Sequence, residues 1–110
     1  MNDIATRKII FIGCNYDQLP YLAELRQRNF FIVGIDKNPD APGRSLCDVF
    51  YEIGYDEIKA MIRIGENHEF GPKDKVFTAA AQFAHIGAAS FAAYFGCSYP
   101  NVADIDSCLD

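Results

Sequence analysis

Apolar and polar positions along this chain fall into alternating blocks, some the length of a strand and some the length of a helix. Lys8-Ile9-Ile10-Phe11-Ile12 is a continuous apolar run, which suits a strand covered on both faces of a parallel sheet. Gly13-Cys14-Asn15-Tyr16 interrupts it as a turn. Asp17 can then cap a helix, with Pro20 tolerated in its first turn. Leu19, Leu22 and Ala23 fall at i, i+3 and i+4, Leu25 widens that apolar face, and Glu24, Arg26, Gln27 and Arg28 make the polar one. Phe30 to Asp36, rich in β-branched and aromatic residues, reads as a second strand. It completes a βαβ unit whose crossover should be right-handed.

The second half repeats the alternation. Val49 to Ile53 predicts a third strand, shorter, less apolar and therefore nearer an edge. Asp56 can cap a second helix with Ile58, Met61, Ile62 and Gly65 on one face. Glu66 to Lys73 is a polar loop around Gly71-Pro72, and Lys75 to Ala79 is a fourth strand. The third helix is expected to bury Phe83, Ile86, Gly87, Ser90, Phe91 and Tyr94 and to end at Gly96. Ser98-Tyr99-Pro100 adds a short fifth strand, and a further helix begins near Asp104. Strands alternating with helices predict an α/β fold: an open, doubly wound, mostly parallel, Rossmann-like sheet of four or five strands in three α/β/α layers. Residues 1–7 read as a polar tail, 8–102 as the domain, and 103–110 as the start of a helix leading onward.

Composition narrows the function classes. A chain of 110 residues builds one core, and 50% hydrophobic residues mark it as folded. A net charge of −5 leaves no basic stripe to neutralise phosphates, so nucleic acid is not expected as a partner. No apolar run approaches the ~20 residues of a membrane span, and the first eight residues lack a signal-peptide core. Cys14, Cys47, Cys97 and Cys108 show no CxxC spacing, so no zinc site is expected. Reduced thiols in a cytoplasmic protein are the expectation.

Candidate chemistry gathers at the loop Asp36-Lys37-Asn38-Pro39-Asp40-Ala41-Pro42-Gly43. An acid that closes a strand sits at the carboxyl edge of the sheet, where open α/β sheets bind ligands. Two prolines and a glycine restrict the loop behind it. A strand, Gly13, a helix, and Asp36 about 20 residues later match the spacing of a ribose-binding acid. The other two fingerprint positions hold Asn15 and Gln18 instead of glycine, however, so NAD binding is not expected. Asp36 reads equally well as a cap on nearby backbone N–H groups. Cys14 precedes a helix N-terminus, where thiolates are favoured, but with no base arranged beside it the residue reads as part of the turn. His68 reads as a solvated loop residue and His85 as a surface residue, without metal or triad spacing. Thr78-Ala79-Ala80-Ala81-Gln82-Phe83 runs from a strand end into a helix start. Its N–H groups and Gln82 could face a small anion, and a close-packed turn would use the same small residues.

Three segments together resemble a known family: Ile9-Ile10-Phe11-Ile12-Gly13, Ile35 to Gly43 with Cys47-Asp48, and Val76-Phe77-Thr78-Ala79-Ala80. They look like the N-terminal, pre-ATP-grasp domain of ATP-grasp ligases, as in carbamoyl-phosphate synthase large-subunit-like and biotin carboxylase-like proteins. The resemblance runs from Lys8 to Asp110. It implies a domain on the substrate side of a ligase in which ATP phosphorylates a carboxylate and an amine or similar nucleophile displaces the phosphate. It also implies substrate-binding positions at Gly13 and Asn15, Asp36 and Asn38, and Thr78, Ala79, Ala80, Gln82 and Phe83, with no catalytic or metal-binding residue in this chain. ATP and magnesium would belong to domains that follow, with a small carboxylate or amine as substrate. By this resemblance Asp110 matches the Asp of an Asp-Lys pair leading into the ATP-grasp fold. Cys14 and Asn15 depart from further glycines common in the family, and Gln82 departs from a frequent acid. The competing readings are a free-standing Rossmann-like module for a nucleotide or nucleotide-sugar and a non-enzymatic dimerisation domain, a homodimer being an assembly the family uses.

Overall fold

Strand β1 (Lys8–Ile12) lies inside the sheet, and its position explains its unbroken apolar sequence. The computed structural model describes residues 7–78 and 82–99, with the backbone alone at 82 and 83. Within it, β1, β2 (Phe31–Asp36), β3 (Val49–Glu52) and β4 (Lys75–Thr78) form one sheet in the order β3-β2-β1-β4, with every pairing parallel. Ile9, Ile10, Phe11 and Ile12 are all fully buried, because successive side chains of a strand point to opposite faces and both faces here are covered. Ile9 and Phe11 pack with Leu22 and Leu25 of α1 (Leu19–Gln27) and with Phe30, Ile32 and Phe77. Ile10 and Ile12 pack with Val33, Ile35 and Val76 under α2 (Ile58–Asn67) and α3 (Gln82–Phe95). The three predicted layers are therefore present.

At the sheet margin β3 pairs, among the described residues, with β2 alone and holds no fully buried residue, as its sequence suggested. On the other side Ser98 bridges Lys75 in parallel, and the Val76 N–H donates to the Ser98 carbonyl at 3.0 Å. The predicted fifth strand starts there. Pro100, the helix expected near Asp104, and the first six residues of the tail lie outside the described residues.

Helix rotation is where the sequence reading needs correction. Asp17 does not cap α1; it lies in a 3-10 turn, Tyr16–Gln18, that precedes the helix. Ala23 is exposed, and Leu22 and Leu25 carry the buried stripe. The residue leading into α2 is Glu57, one beyond Asp56, and its carboxylate accepts the Gly54 N–H at 2.6 Å. In α3 the expected face was turned. Ile86 and Tyr94 are 61% and 59% exposed, whereas Ala84, Gly87, Ala88 and Phe91 are buried. Apolar residues ring this helix on every side, so its sequence carries no polar face to set the rotation. Close approach of small residues to the sheet and to α2 sets it instead. The C-terminal end behaves as read: Gly96 takes φ +73 and the Cys97 N–H reaches back to the Ala92 carbonyl at 3.0 Å.

Gly87 is needed for that approach. A Cβ there would stand 2.7 Å from Met61 Cε and 3.0 Å from the Tyr55 carbonyl oxygen. Gly87→Leu is expected to cost roughly 1–3 kcal/mol through overpacking, measured by urea denaturation. An unchanged midpoint would mean that α3 sits farther from Tyr55 than described.

The histidines are also more engaged than their sequence context implied. His68 is half-buried against the rings of Phe31 and Tyr51 and shares a 2.8 Å hydrogen bond with the Tyr51 hydroxyl. His85 is half-buried and bonded to the Tyr99 hydroxyl. Both pack onto tyrosines brought close by the fold, a proximity that sequence spacing does not announce.

Candidate functional site

Strand order reverses between β1 and β4, and at such a reversal the loops leaving the carboxyl ends part to open a crevice. Gly13 leaves β1 with φ +95, a conformation that favours glycine, and its N–H donates to the Ile35 carbonyl at 2.7 Å. The Cys14 N–H donates to Asp36 Oδ2 at 2.8 Å, and the Asn15 N–H to Gln18 Oε1 at 2.9 Å. Asp36, only 3% exposed, uses its other oxygen to accept the Asn38 N–H at 2.9 Å. Asn38 in turn accepts the Asp40 N–H at 3.0 Å, and Arg44 reaches the Pro39 carbonyl at 2.6 Å. These bonds hold the second loop from within.

The two loops are also fastened to each other. The Gly43 N–H donates to the Cys14 carbonyl at 2.8 Å. A Cβ on Gly43 would stand 2.5 Å from Leu22 Cδ1 and 3.0 Å from that same carbonyl oxygen, so the Pro-Gly step brings backbone against backbone. Thr78 closes the third side: it is fully buried, and its hydroxyl donates to the Ile12 carbonyl at 2.8 Å, tying the end of β4 to β1.

Gly13, Asp36 and Thr78 thus meet at one edge, as read from the sequence, and each is engaged by the protein itself. Asn15 and Asn38 are exposed at the same edge. Gln82 begins α3, with its side chain and that of Phe83 outside the described residues, and Ala79 and Ala80 lie outside them altogether. Asp48 of the family-like segment sits at the opposite end of the strands. There it accepts the Ile32 N–H at 2.7 Å and pairs with Arg26 at 3.8 Å, pinning β3 to β2. Two further residues take roles here that their sequence positions did not assign. Gln18 closes the first loop, and the Asn-x-x-Gln spacing of a capping box was its available signal. Tyr55 has its hydroxyl pKa raised, first by burial and then by the charge of Asp36, and no local pattern marked it.

Cys14 is fully buried, and its thiol is pushed far up by a hydrogen bond with Cys47, by burial, and by the charges of Cys47 and Asp36. Cys14 is thus held inside the turn, where its N–H and carbonyl fasten the two loops. Beside the second loop lies an open depression of about 510 Å³, lined by residues from Pro39 to Cys47. Another, lined by Arg26, Asn29, Phe30, Phe31 and Asp48, belongs to the amino-terminal edge and is remote from these loops. Among the described residues no group of three or more His, Cys, Asp or Glu is placed to hold a metal ion, and no helix is long and apolar enough to cross a membrane.

No protein-family model and no curated protein sequence matches the chain. Solved structures do. An N5-carboxyaminoimidazole synthetase from Staphylococcus aureus superposes with a TM-score of 0.69 at 16% identity, over 88% of this chain and 25% of that one. Glycinamide-RNase-transformylase T from Mycobacterium tuberculosis gives 0.68 at 12% identity, over 91% and 28%. Both are ATP-grasp enzymes, and the chain covers their N-terminal portion. The fold is one that the N-terminal portions of these enzymes have. UDP-glucose 4-epimerase from Thermotoga maritima shares the arrangement, with a TM-score of 0.68 at 14% identity over 86% of this chain and 37% of that one. The chain spans about a quarter to rather more than a third of the length of these structures, and at such identities the likeness is one of fold.

Proposed function

We propose that this chain is the substrate-side N-terminal domain of an ATP-dependent carboxylate–amine ligase. In that reaction a carboxylate oxygen attacks the γ-phosphorus of ATP and ADP leaves. An amine nitrogen then attacks the acyl carbon, and phosphate departs with an oxygen that began in the carboxylate. ATP and magnesium would be held by other parts of the full-length protein, while this domain presents its carboxyl-edge loops to the small-molecule substrate. The synthetases it resembles are named for a carboxylated aminoimidazole, and a bond between a carboxyl carbon and an amine nitrogen is what such a ligase forms.

The observation that favours this reading over a dinucleotide site is the state of the first loop. A Rossmann dinucleotide site needs free backbone N–H groups facing the pyrophosphate. Here three successive ones, on Gly13, Cys14 and Asn15, are taken by Ile35, Asp36 and Gln18. The Asp36 carboxylate is likewise buried and already accepts two N–H groups. The likeness to the epimerase, whose structure holds UDP-glucose, favours a second reading, a nucleotide or nucleotide-sugar module.

Calorimetry of the chain with NAD and with UDP-glucose separates the two readings, and no heat of binding at micromolar ligand is expected. Micromolar affinity for either would replace the ligase by the nucleotide module. For the full-length protein, ¹⁸O placed in the carboxylate substrate should appear in the released phosphate. Phosphate free of label would rule out the acyl-phosphate route.

A further inference from the structure

Strand β2 carries Gly34, buried in mid-strand, and two sulfur atoms occupy the space above it. A Cβ at Gly34 would stand 2.3 Å from Cys47 Sγ and 3.2 Å from Cys14 Sγ. The two cysteines come from different segments: Cys14 follows β1, and Cys47 follows the 3-10 turn Pro42–Leu46. Glycine at position 34 leaves room for both sulfurs, and the Cys47 thiol is oriented there by donating to the Gly43 carbonyl at 3.4 Å. We propose that Cys14 and Cys47 form an oxidisable dithiol, which a peroxide converts to a disulfide joining the first loop to the segment beyond the second.

The two sulfurs differ in ways that assign their roles. Cys47 is half-buried and borders the open depression lined by Pro39 to Ser45, so a small oxidant can reach it. Cys14 is fully buried behind it. The neighbouring Cys14 thiol lowers the pKa of Cys47, burial opposing, while the Cys47 sulfur and burial raise that of Cys14. The outer sulfur is thus the one favoured as thiolate, the form that reacts with peroxides. Its lone pair attacks one oxygen of hydrogen peroxide, the O–O bond breaks, and the hydroxide released becomes water on taking up the Cys47 proton. The resulting Cys47 sulfenic acid is then attacked by Cys14 sulfur. An S–S bond forms, the S–O bond breaks, and hydroxide leaves as water with the Cys14 proton. Two thiols are oxidised by two electrons, and one peroxide is reduced to two waters. Cys97 provides an internal comparison: burial pushes its pKa up to about 11, so it should react more slowly.

The proposal is independent of the functional reading above. Its test is titration of the intact 110-residue chain with hydrogen peroxide, followed by mass spectrometry of a non-reducing digest. The expected result is loss of the mass of two hydrogens, a Cys14–Cys47 linked peptide, and reversal by dithiothreitol. Cys14→Ser should leave a Cys47 sulfenic acid that dimedone traps, and Cys47→Ser should abolish peroxide reaction at Cys14. A disulfide formed instead through Cys97 or Cys108, a disulfide between chains, or Cys47 overoxidised while Cys14 stays a thiol would overturn the proposal. So would thiols that survive peroxide in the folded chain but not in urea. Should either serine variant fail to fold, the map of the wild-type chain decides.

Discussion

Asp36→Ala is expected to destabilise the domain by about 3–4 kcal/mol, which is far more than the ~1 kcal/mol of an ordinary helix cap. The reason is where its two hydrogen bonds go. One oxygen accepts the N–H of Cys14, twenty-two positions away in the chain, and the other accepts the N–H of Asn38 in its own loop. Removing the carboxylate strands the Cys14 N–H in a fully buried position and unties the first loop from the second. Each of the two hydrogen bonds to the charged carboxylate contributes about 1.5–3 kcal/mol, and the sum falls at its lower end because the N–H of the exposed Asn38 can turn to water. The urea midpoint should fall by roughly 2 M, and amide exchange at Cys14 should quicken. Asp36→Asn keeps one acceptor and should recover part of the loss. If Asp36→Ala lowers stability by less than 1 kcal/mol while substrate use collapses, Asp36 belongs to the ligand and not to the loop architecture.

Phe77→Ala should cost about 3–5 kcal/mol, the range for emptying a buried phenylalanine site. Phe77 is fully buried, with its ring 5.0 Å from that of Phe11 and 5.7 Å from that of Tyr21. It fills the face shared by β1, β4 and α1, and its neighbours lie on a central strand and a docked helix that cannot easily collapse into the space. Domains of this size hold only about 5–15 kcal/mol in total. The variant should therefore melt about 15 °C or more below the parent. A loss under about 1 kcal/mol would mean that this face is loosely packed and that α1 sits differently.

How much of this was legible beforehand differs by element. The four strands were readable because an interior parallel strand must be apolar at every position, as Ile9 to Ile12 are. The edge position of β3 was readable for the complementary reason. Pro20, Pro42, Gly43 and Gly96 marked turns and helix ends through backbone restrictions that act within a few residues. The family resemblance added the ATP-grasp N-terminal fold, which the solved structures bear out. The site was legible only as a location. Gly13, Asp36 and Thr78 were placed at one edge correctly, but whether each faced a ligand or the protein depended on partners far along the chain.

What the sequence by itself determined is the order of strands and helices, their parallel layered arrangement, and the edge at which the loops gather. These follow from periodicity and turn chemistry, which are local. Tertiary structure alone decided the rotation of α3, since a helix apolar on all sides has no polar face to orient it. It also decided the partners of Asp36, His68 and His85, and the meeting of Cys14 with Cys47 above Gly34. Each of these contacts joins segments that become neighbours only when β2 pairs beside β1 and α2 and α3 pack on the sheet. Such proximity is a property of sheet order and packing distance, and no spacing along the chain encodes it.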